Sequence, residues 1–361
     1  MAAPLRTPLF ESHVKAGGKI VEFAGYEMPV QYSSIIAETQ AVRQGAGMFD
    51  VSHMARFSFV GERVSEFIEW ITTNGVSKLA DGQGQYSLLP NDQGGCVDDI
   101  IVYRVNPTEI RLVVNAANHQ KDWAWIVSQN KFGVEMTDHT GDTAMIAVQG
   151  PKAADLIAIL CDTPSVVHGC EFFSFIQVTV AGVPCFAARS GYTGEDGFEL
   201  ICPAAQAATL WTALEEAGVI PCGLGSRDIL RVEAGLPLYG HELNDTLSPI
   251  AAGLGWVISK TKSFIGSEPI NAARAAGTPT KLQGVKLGSK RFPAIGAEVR
   301  VDGVKVGEVS SGVYSPTLGC GLAFAFIQAG VELNTPCEVE LRGGFEPATI
   351  VSKRFLAKPK T

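Results

Sequence analysis

The chain has 361 residues, 46% hydrophobic and 18% charged, with 29 Lys+Arg against 37 Asp+Glu. At roughly 150 residues per domain this is two or three parts, each with its own core, and the apolar fraction excludes a disordered chain. A net charge of −8 argues against nucleic acid as the main partner, which needs a basic surface.

The charge is unevenly spread. Residues 281–361 hold 11 Lys+Arg against 7 Asp+Glu, a surplus of +4, so the remainder carries −12. That split favours two parts with different partners. No apolar run reaches about 18 residues, so no membrane-spanning helix is expected. The opening MAAPLRTPLF has neither a hydrophobic signal core nor an Arg-rich presequence. Eight scattered cysteines without a C-x-x-C read as reduced, packed thiols, not a disulfide frame or zinc site. The expectation is a soluble, cytoplasmic protein without a metal.

In chain order, Val64, Phe67, Ile68 and Ile71 lie at i, i+3, i+4, i+7 before Gly75 and predict an amphipathic helix. Strands are expected at 97–105 and 110–115, turned at Asn106-Pro107. Asn118 is placed to cap a helix through Trp123, Ile126 and Val127, ending near Gly133. A strand at 144–148 precedes Pro151, which suits the first turn of a helix over 154–160. Strands at 172–180 and 183–188 flank Ala181-Gly182, and another covers 198–201. Leu210, Trp211 and Leu214 mark a helix before Gly218, and Ser226 is placed to cap one containing Arg227, Leu230 and Arg231. Mixed helices and strands without regular βαβ spacing indicate the α+β class. Residues 272–279 (AARAAGTP) read as a joint. Beyond it, Val299–Val306 around Asp302-Gly303 is a type I′ hairpin signal, followed by short strands at Val309, 320–327, 337–341 and 349–351. That is a small all-β unit.

Three stretches carry chemistry. Asp98-Asp99 opens the apolar strand Ile100–Tyr103. Side chains alternate on a strand, so at most one of the two faces a given pocket. Such a carboxylate suits a proton acceptor or an anchor for an amine; a turn-forming pair at a strand mouth is the other reading. The second stretch, Arg189–Glu199, has three glycines within seven residues, a stacking face at Tyr192 and a two-oxygen acceptor at Glu199 that suits adjacent N–H groups of a heterocycle. An ordinary Gly-rich turn fits equally; Walker A does not, because no Gly-Lys-Ser/Thr follows. In the third, Arg227 and Arg231 are four apart on one helix face and suit carboxylates, although Asp228 and Glu233 are placed to neutralise them. The six histidines show no metal-type spacing, and there is no G-x-S-x-G elbow. Together these residues suit a planar, amine-bearing heterocycle with a negative tail.

At these residues the sequence resembles the T-protein (aminomethyltransferase) family of the glycine cleavage system. The likeness runs through Phe23–Tyr32 (FAGYEMPVQY), Met48–Met54 (MFDVSHM), Asp98-Asp99, Val114–Asn118, Gln149-Gly150-Pro151, the Gly191–Gly197 loop, Arg227-Asp228, Glu233–Gly240 (EAGLPLYG), Phe264-Ile265-Gly266 and Ser315–Gly319 (SPTLG). The resemblance implies a cloverleaf-like, multidomain molecule: two interleaved α+β subdomains within 1–275 and a C-terminal β-barrel at 280–361. It implies tetrahydrofolate as co-substrate and a lipoyl-carrying H protein as partner, with no role for nucleic acid or membrane. The methylene of the aminomethyl group would pass from the lipoyl arm to tetrahydrofolate, with release of ammonia. Asp99 matches the functional aspartate of the family and would orient the attacking amine or take its proton. Glu199 would hold the pterin edge, and Tyr86, Tyr103 and Tyr192 would line the ring site. Met54 and Asn115 match channel positions, Arg227 would meet the glutamyl portion or shape the site, and Arg231 and Tyr239 complete the implied set.

The sequence departs from the family at three places. Ala55-Arg56 stands where relatives usually carry Gly and Glu, Gly319-Cys320-Gly321 lacks a lysine, and Lys353–Leu356 lacks the tyrosine of the usual ending. Two other functions would use the same fold. One is a folate-dependent demethylase of a small methylated amine or sulfonium compound. The other is a non-catalytic folate-binding module like the related iron–sulfur assembly proteins, whose K-G-C-Y-x-G-Q-E cysteine is absent from Lys262–Glu268. Lys353, Arg354, Lys358 and Lys360, with no acid among 352–361, form a basic end expected to steer an acidic H protein.

Overall fold

A computed structural model describes residues 3–357. The chain forms two compact units, Met1–Ser87 with Ile100–Arg227, and Leu88–Asp99 with Asp228–Thr361. The α+β class and the C-terminal all-β barrel expected from the sequence are both present.

In the first unit a six-stranded sheet runs in the order Phe175–Val180, Val183–Ala188, Gly197–Pro203, Thr143–Gln149, Gly47–Asp50, Ile220–Pro221. Only its last pair is parallel. One face is apolar: Met48, Ile146, Val148, Phe198 and Leu200 pack with Ile157, Leu210, Trp211 and Leu214 of the covering helices. Because strand side chains alternate, Phe49, Ala147 and Glu199 lie on the opposite face, and register sets Glu199 opposite Ala147 and Phe49 opposite Ala147. The five-stranded sheet has Tyr86 on Gly84–Pro90, Tyr103 on Cys96–Asn106 and Asn115 just after Glu109–Val114.

The helices follow their sequence signals, with shifts at two starts. Val64–Ile71 buries Val64, Phe67, Ile68 and Ile71 as the spacing requires. Asn118 occupies the N-cap position of His119–Gln129, but its side chain makes no capping bond. Pro151 precedes the helix Ala153–Ile159 instead of opening it. Leu224–Ala234 begins before Ser226, whose hydroxyl donates to the Gly223 carbonyl at 2.9 Å. Ser226 is therefore a first-turn residue and not a cap.

In the second unit six antiparallel strands close a barrel: Thr280–Leu287, Cys320–Gln328, Val304–Ser315, Glu298–Val301, Pro336–Leu341 and Gly344–Val351. Val299, Val309, Ala323, Ala325, Val339 and Ile350 fill it. Asp302 and Gly303 take φ of 50° and 78°, the left-handed pair that the hairpin signal requires. The expected joint at 272–279 is half helical, since Ser267–Ala276 is a helix ended by Gly277 at φ 78°.

The C-terminal segment crosses Gly235, where an added Cβ would meet the Arg354 backbone at 2.9 Å. Phe355 stacks on Phe324 of the barrel, centroids 6.1 Å apart. Lys353 is not a free surface charge: its ammonium donates to the Ala252 carbonyl at 2.7 Å, and burial lowers it to about 8. Lys358 and Lys360, also assigned to the basic end, lie outside the described residues.

Candidate functional site

In the first unit, the face opposite the apolar core gathers Glu199, Tyr192 and Arg227. Glu199 is 6% exposed. The Ser190 hydroxyl donates to its Oε2 at 2.6 Å, so the Tyr103 hydroxyl, 3.1 Å from Ser190 Oγ, donates to Ser190. This relay fixes one carboxylate oxygen. Among the described residues Oε1 keeps its acceptor capacity. Tyr103 is buried edge-on to Phe175 and Phe186, with centroids at 5.9 and 5.4 Å. Burial and the Glu199 charge push its phenol up, so it remains a neutral donor. Its clearest contribution to this face is the relay, not a free ring.

Arg227 lies over the rings of Tyr192 and Phe49, at 5.1 and 5.9 Å from their centroids. Its Nη1 is sealed from solvent and has no hydrogen-bond partner among the described residues. Burial pulls the guanidinium below its usual value, while Glu199 and Tyr192 oppose that shift. A buried donor without an acceptor is costly, on the order of 1–3 kcal/mol.

The glycine-rich loop is held by a residue that carried no chemical signal in the sequence. Gln149 is buried, accepts from the Thr193 hydroxyl at 2.8 Å and donates to the Ser190 carbonyl at 2.9 Å. A Cβ on Gly191 would fall 1.8 Å from Gln149 Oε1, and one on Gly197 would fall 2.3 Å from the Val148 carbonyl. Those two glycines make room for Gln149 and its strand; their spacing alone suggested room for a ligand. Arg43 donates to the Thr193 carbonyl and to Glu195, and Arg189 grips Asp196 with two bonds of 2.9 and 2.6 Å. The loop is a rigid mount for Tyr192. Met54, Tyr86 and Asn115, also of this unit, are each partly exposed. The cleft of about 630 Å³ lined by Arg111, Asp162, Cys185 and their neighbours includes none of the candidate residues.

In the second unit Asp98 is fully buried and Asp99 partly exposed, as strand alternation requires. The strand mouth is anchored: the Cys96 amide donates to the Asn244 carbonyl at 3.0 Å and Asn91 Nδ2 to the Asp245 carbonyl at 2.8 Å. A Cβ on Gly95 would lie 1.8 Å from that carbonyl, so only glycine allows the approach. Tyr239 donates to Asp245 at 2.9 Å, and burial pushes its phenol up.

Arg231 behaves unlike Arg227. It is 1% exposed, and every guanidinium nitrogen has a protein acceptor. Nε donates to Asp228 at 2.8 Å, Nη1 to Glu242 at 3.1 Å and Nη2 to Ser311 Oγ at 2.8 Å. Glu242 in turn accepts from Ser310, Ser311 and the Leu238 amide. Glu233, expected as a second neutralising acid, accepts instead from Ser315 and Thr317. The expectation that Arg231 binds a co-substrate is corrected: its donors are committed to this network, which ties its helix to the 238–242 turn and a barrel strand. Among the described residues no group of His, Cys, Asp and Glu is arranged to hold a metal.

Comparison with known proteins gives a family. The model of the GCVT N-terminal domain matches residues 9–262, and that of the glycine cleavage T-protein C-terminal barrel domain matches 281–356. The chain is 44% identical to an aminomethyltransferase of Symbiobacterium thermophilum, covering 98% of both chains. It is 45% identical to that of Thermus thermophilus, covering 97% of this chain and 99% of the other. The crystal structure of the glycine cleavage system aminomethyltransferase T from Bartonella henselae superposes with a TM-score of 0.91 at 31% identity, over 98% of each chain.

Proposed function

This chain belongs to the glycine cleavage T-protein family, and from that premise we propose that it moves the methylene of an aminomethyl group from the lipoyl arm of H protein to tetrahydrofolate. Its activity is that of an aminomethyltransferase, a tetrahydrofolate-dependent one-carbon transferase. Ammonia leaves and 5,10-methylene-tetrahydrofolate forms. The bound folate supplies the amine nitrogens that receive the carbon; the protein's task is to hold and orient them and to manage the proton.

The observation that carries the binding reading is the unpartnered Arg227 Nη1 above Tyr192, with the open Oε1 of Glu199 in the same unit. An acceptor and a donor beside an aromatic face complement a heterocycle bearing both N–H groups and oxygen acceptors. On this reading Glu199 receives the pterin edge, with Tyr103 and Ser190 setting its orientation. Tyr192 and Tyr86 offer stacking faces, Met54 and Asn115 line the approach, and Arg227 meets an oxygen of the folate. On the same reading Asp99 orients the attacking amine or takes its proton, and Tyr239 belongs to the folate-binding set. We take 1–275 as the folate-binding region and 280–361 as the barrel domain. Eight buried cysteines held as thiols support a reducing, cytoplasmic setting.

The deciding experiment is methylene transfer to tetrahydrofolate measured with and without aminomethyl-loaded H protein. Turnover only with H protein is the expected result. Equal turnover from a free methylated amine or sulfonium compound would transfer the assignment to a demethylase.

A further inference from the structure

The segment Asp50–Arg56 is fastened at almost every residue. The Val51 amide donates to the Met145 carbonyl at 3.0 Å and the Met145 amide to Ser52 Oγ at 3.0 Å. Asp50 accepts from the Ser52 amide at 2.9 Å and from Thr7 Oγ1 at 2.6 Å, and its Oδ2 lies 2.8 Å from His13 Nε2. Arg56 closes the loop from the other side. Its five N–H groups reach the carbonyls of Ser52, Met54, Thr140 and Thr143 and the Thr143 hydroxyl, with no carboxylate among them. An arginine stands here where relatives usually carry glutamate, and its fork clamps the backbone on both sides of residue 53.

His53 sits at the centre of this clamp and is 5% exposed. Its Nδ1 is sealed from solvent and has no hydrogen-bond partner among the described residues. Its ring neighbours are Phe23, edge-on at 5.7 Å, and Tyr26 at 6.2 Å. Burial, aided by the Arg227 and Arg56 charges and opposed by Asp50, lowers it to about 4, so the ring is neutral near pH 7 and offers one donor and one acceptor. The clamp fixes the backbone that carries the imidazole. Arg227, whose charge is felt at His53, carries another sealed, unpartnered donor.

We propose that His53 is a further binding residue of the folate site, its ring N–H donating to an oxygen of the bound folate. This rests on the folate reading of the Glu199 face. Two oxygen sources share the required chemistry: the carbonyl groups of the ring and benzoyl portions, and the glutamyl carboxylates. Arg56 and Asp50 are positioning residues, acting through the loop.

The test uses the full chain with 15N-labelled histidine, titrated with tetrahydrofolate and with tetrahydropteroate, which lacks the glutamyl group. Perturbed His53 ring signals with both ligands assign a carbonyl; perturbation with tetrahydrofolate alone assigns a glutamyl carboxylate. His53→Phe is expected to raise the tetrahydrofolate KM about tenfold, with kcat and the H-protein KM within about twofold of wild type. His53→Asn, which keeps an N–H near Nδ1, is expected within about threefold of wild type. Unmoved ring signals in wild-type protein that demonstrably binds tetrahydrofolate overturn the proposal, even if His53→Phe fails to fold. A wild-type chain that binds no tetrahydrofolate would instead overturn the underlying reading.

Discussion

Arg227 and Arg231 are one turn apart on the same helix, yet the two units use them oppositely. In the second unit Arg231 is closed into a network with Asp228, Glu242 and Ser311. In the first, Arg227 lies over two aromatic rings and keeps a sealed nitrogen without an acceptor. A saturated buried charge holds a fold together, and breaking it leaves partners stranded. An unsaturated one costs the folded state something and gains its acceptor only when a ligand arrives. The same contrast separates Gln149 from His53, while Asp98 and Asp99 differ in burial. Residues with complete hydrogen bonding should affect stability, and residues without it should affect binding and turnover.

The largest expected effect compares the buried with the partly exposed carboxylate at the strand mouth. Asp99→Asn should lower kcat about 10²- to 10⁴-fold with an unchanged melting temperature. Asp98→Asn should lower the melting temperature and spare kcat in the folded fraction. The reverse pattern, in ammonia release from loaded H protein, would exchange the two assignments. Next is Arg231→Met, which strands Glu242 and should cost about 3–5 kcal/mol in denaturant unfolding. A loss below about 1 kcal/mol would make the network ornamental.

His53 sharpens the contrast through pH. Its folded value of about 4 lies below the ordinary 6.5, so the unfolded chain binds more protons between those values. Stability should therefore rise with pH from about 4 to 6.5, by up to on the order of 3 kcal/mol, and be lost as pH falls. His53→Phe should flatten that part of the profile in urea unfolding across pH. Asp50, held at about 2 by hydrogen bonds that outweigh its burial, acts only at lower pH. A profile as steep in His53→Phe as in wild type would place the slope elsewhere.

A smaller effect belongs to the barrel. Gly303→Ala, at φ 78°, should cost about 1 kcal/mol and leave turnover intact. The smallest concerns the basic end. Reversing Arg354, Lys358 and Lys360 should slow the H-protein-dependent rate at low salt and lessen its salt dependence. Lys353 is left out because its ammonium is bound to Ala252. A rate unchanged across ionic strengths would make the end a solvated one.

These contrasts were only partly legible in the sequence. The Asp302-Gly303 turn was, because its φ requirement is local. So was the isolation of Glu199 from the core, because Phe198 and Leu200 alternate around it. The unequal fates of Arg227 and Arg231 were not. Glu242 and Ser311 lie 11 and 80 residues from Arg231, and no spacing rule links them. Gln149 escaped notice for a similar reason: its partners are 41 and 44 residues away, and an amide gives no motif. Tyr103 was placed in the ring site by the resemblance, whereas its burial against Phe175 and Phe186 depends on two later strands, Phe175–Val180 and Val183–Ala188. His53 stood out only by lacking metal-type spacing, since a sealed nitrogen without a partner is visible only in three dimensions.

The central claim is that the unsaturated arginine serves a ligand and the saturated one serves the fold. Thermal unfolding of wild type, Arg227→Met and Arg231→Met, each with and without saturating tetrahydrofolate, tests it directly. The account predicts that Arg227→Met melts at or above wild type without folate and loses most of the folate-induced rise. Arg231→Met should melt well below wild type and keep that rise. An Arg227→Met protein that is destabilised without folate, yet still gains the full rise on binding it, would contradict the account.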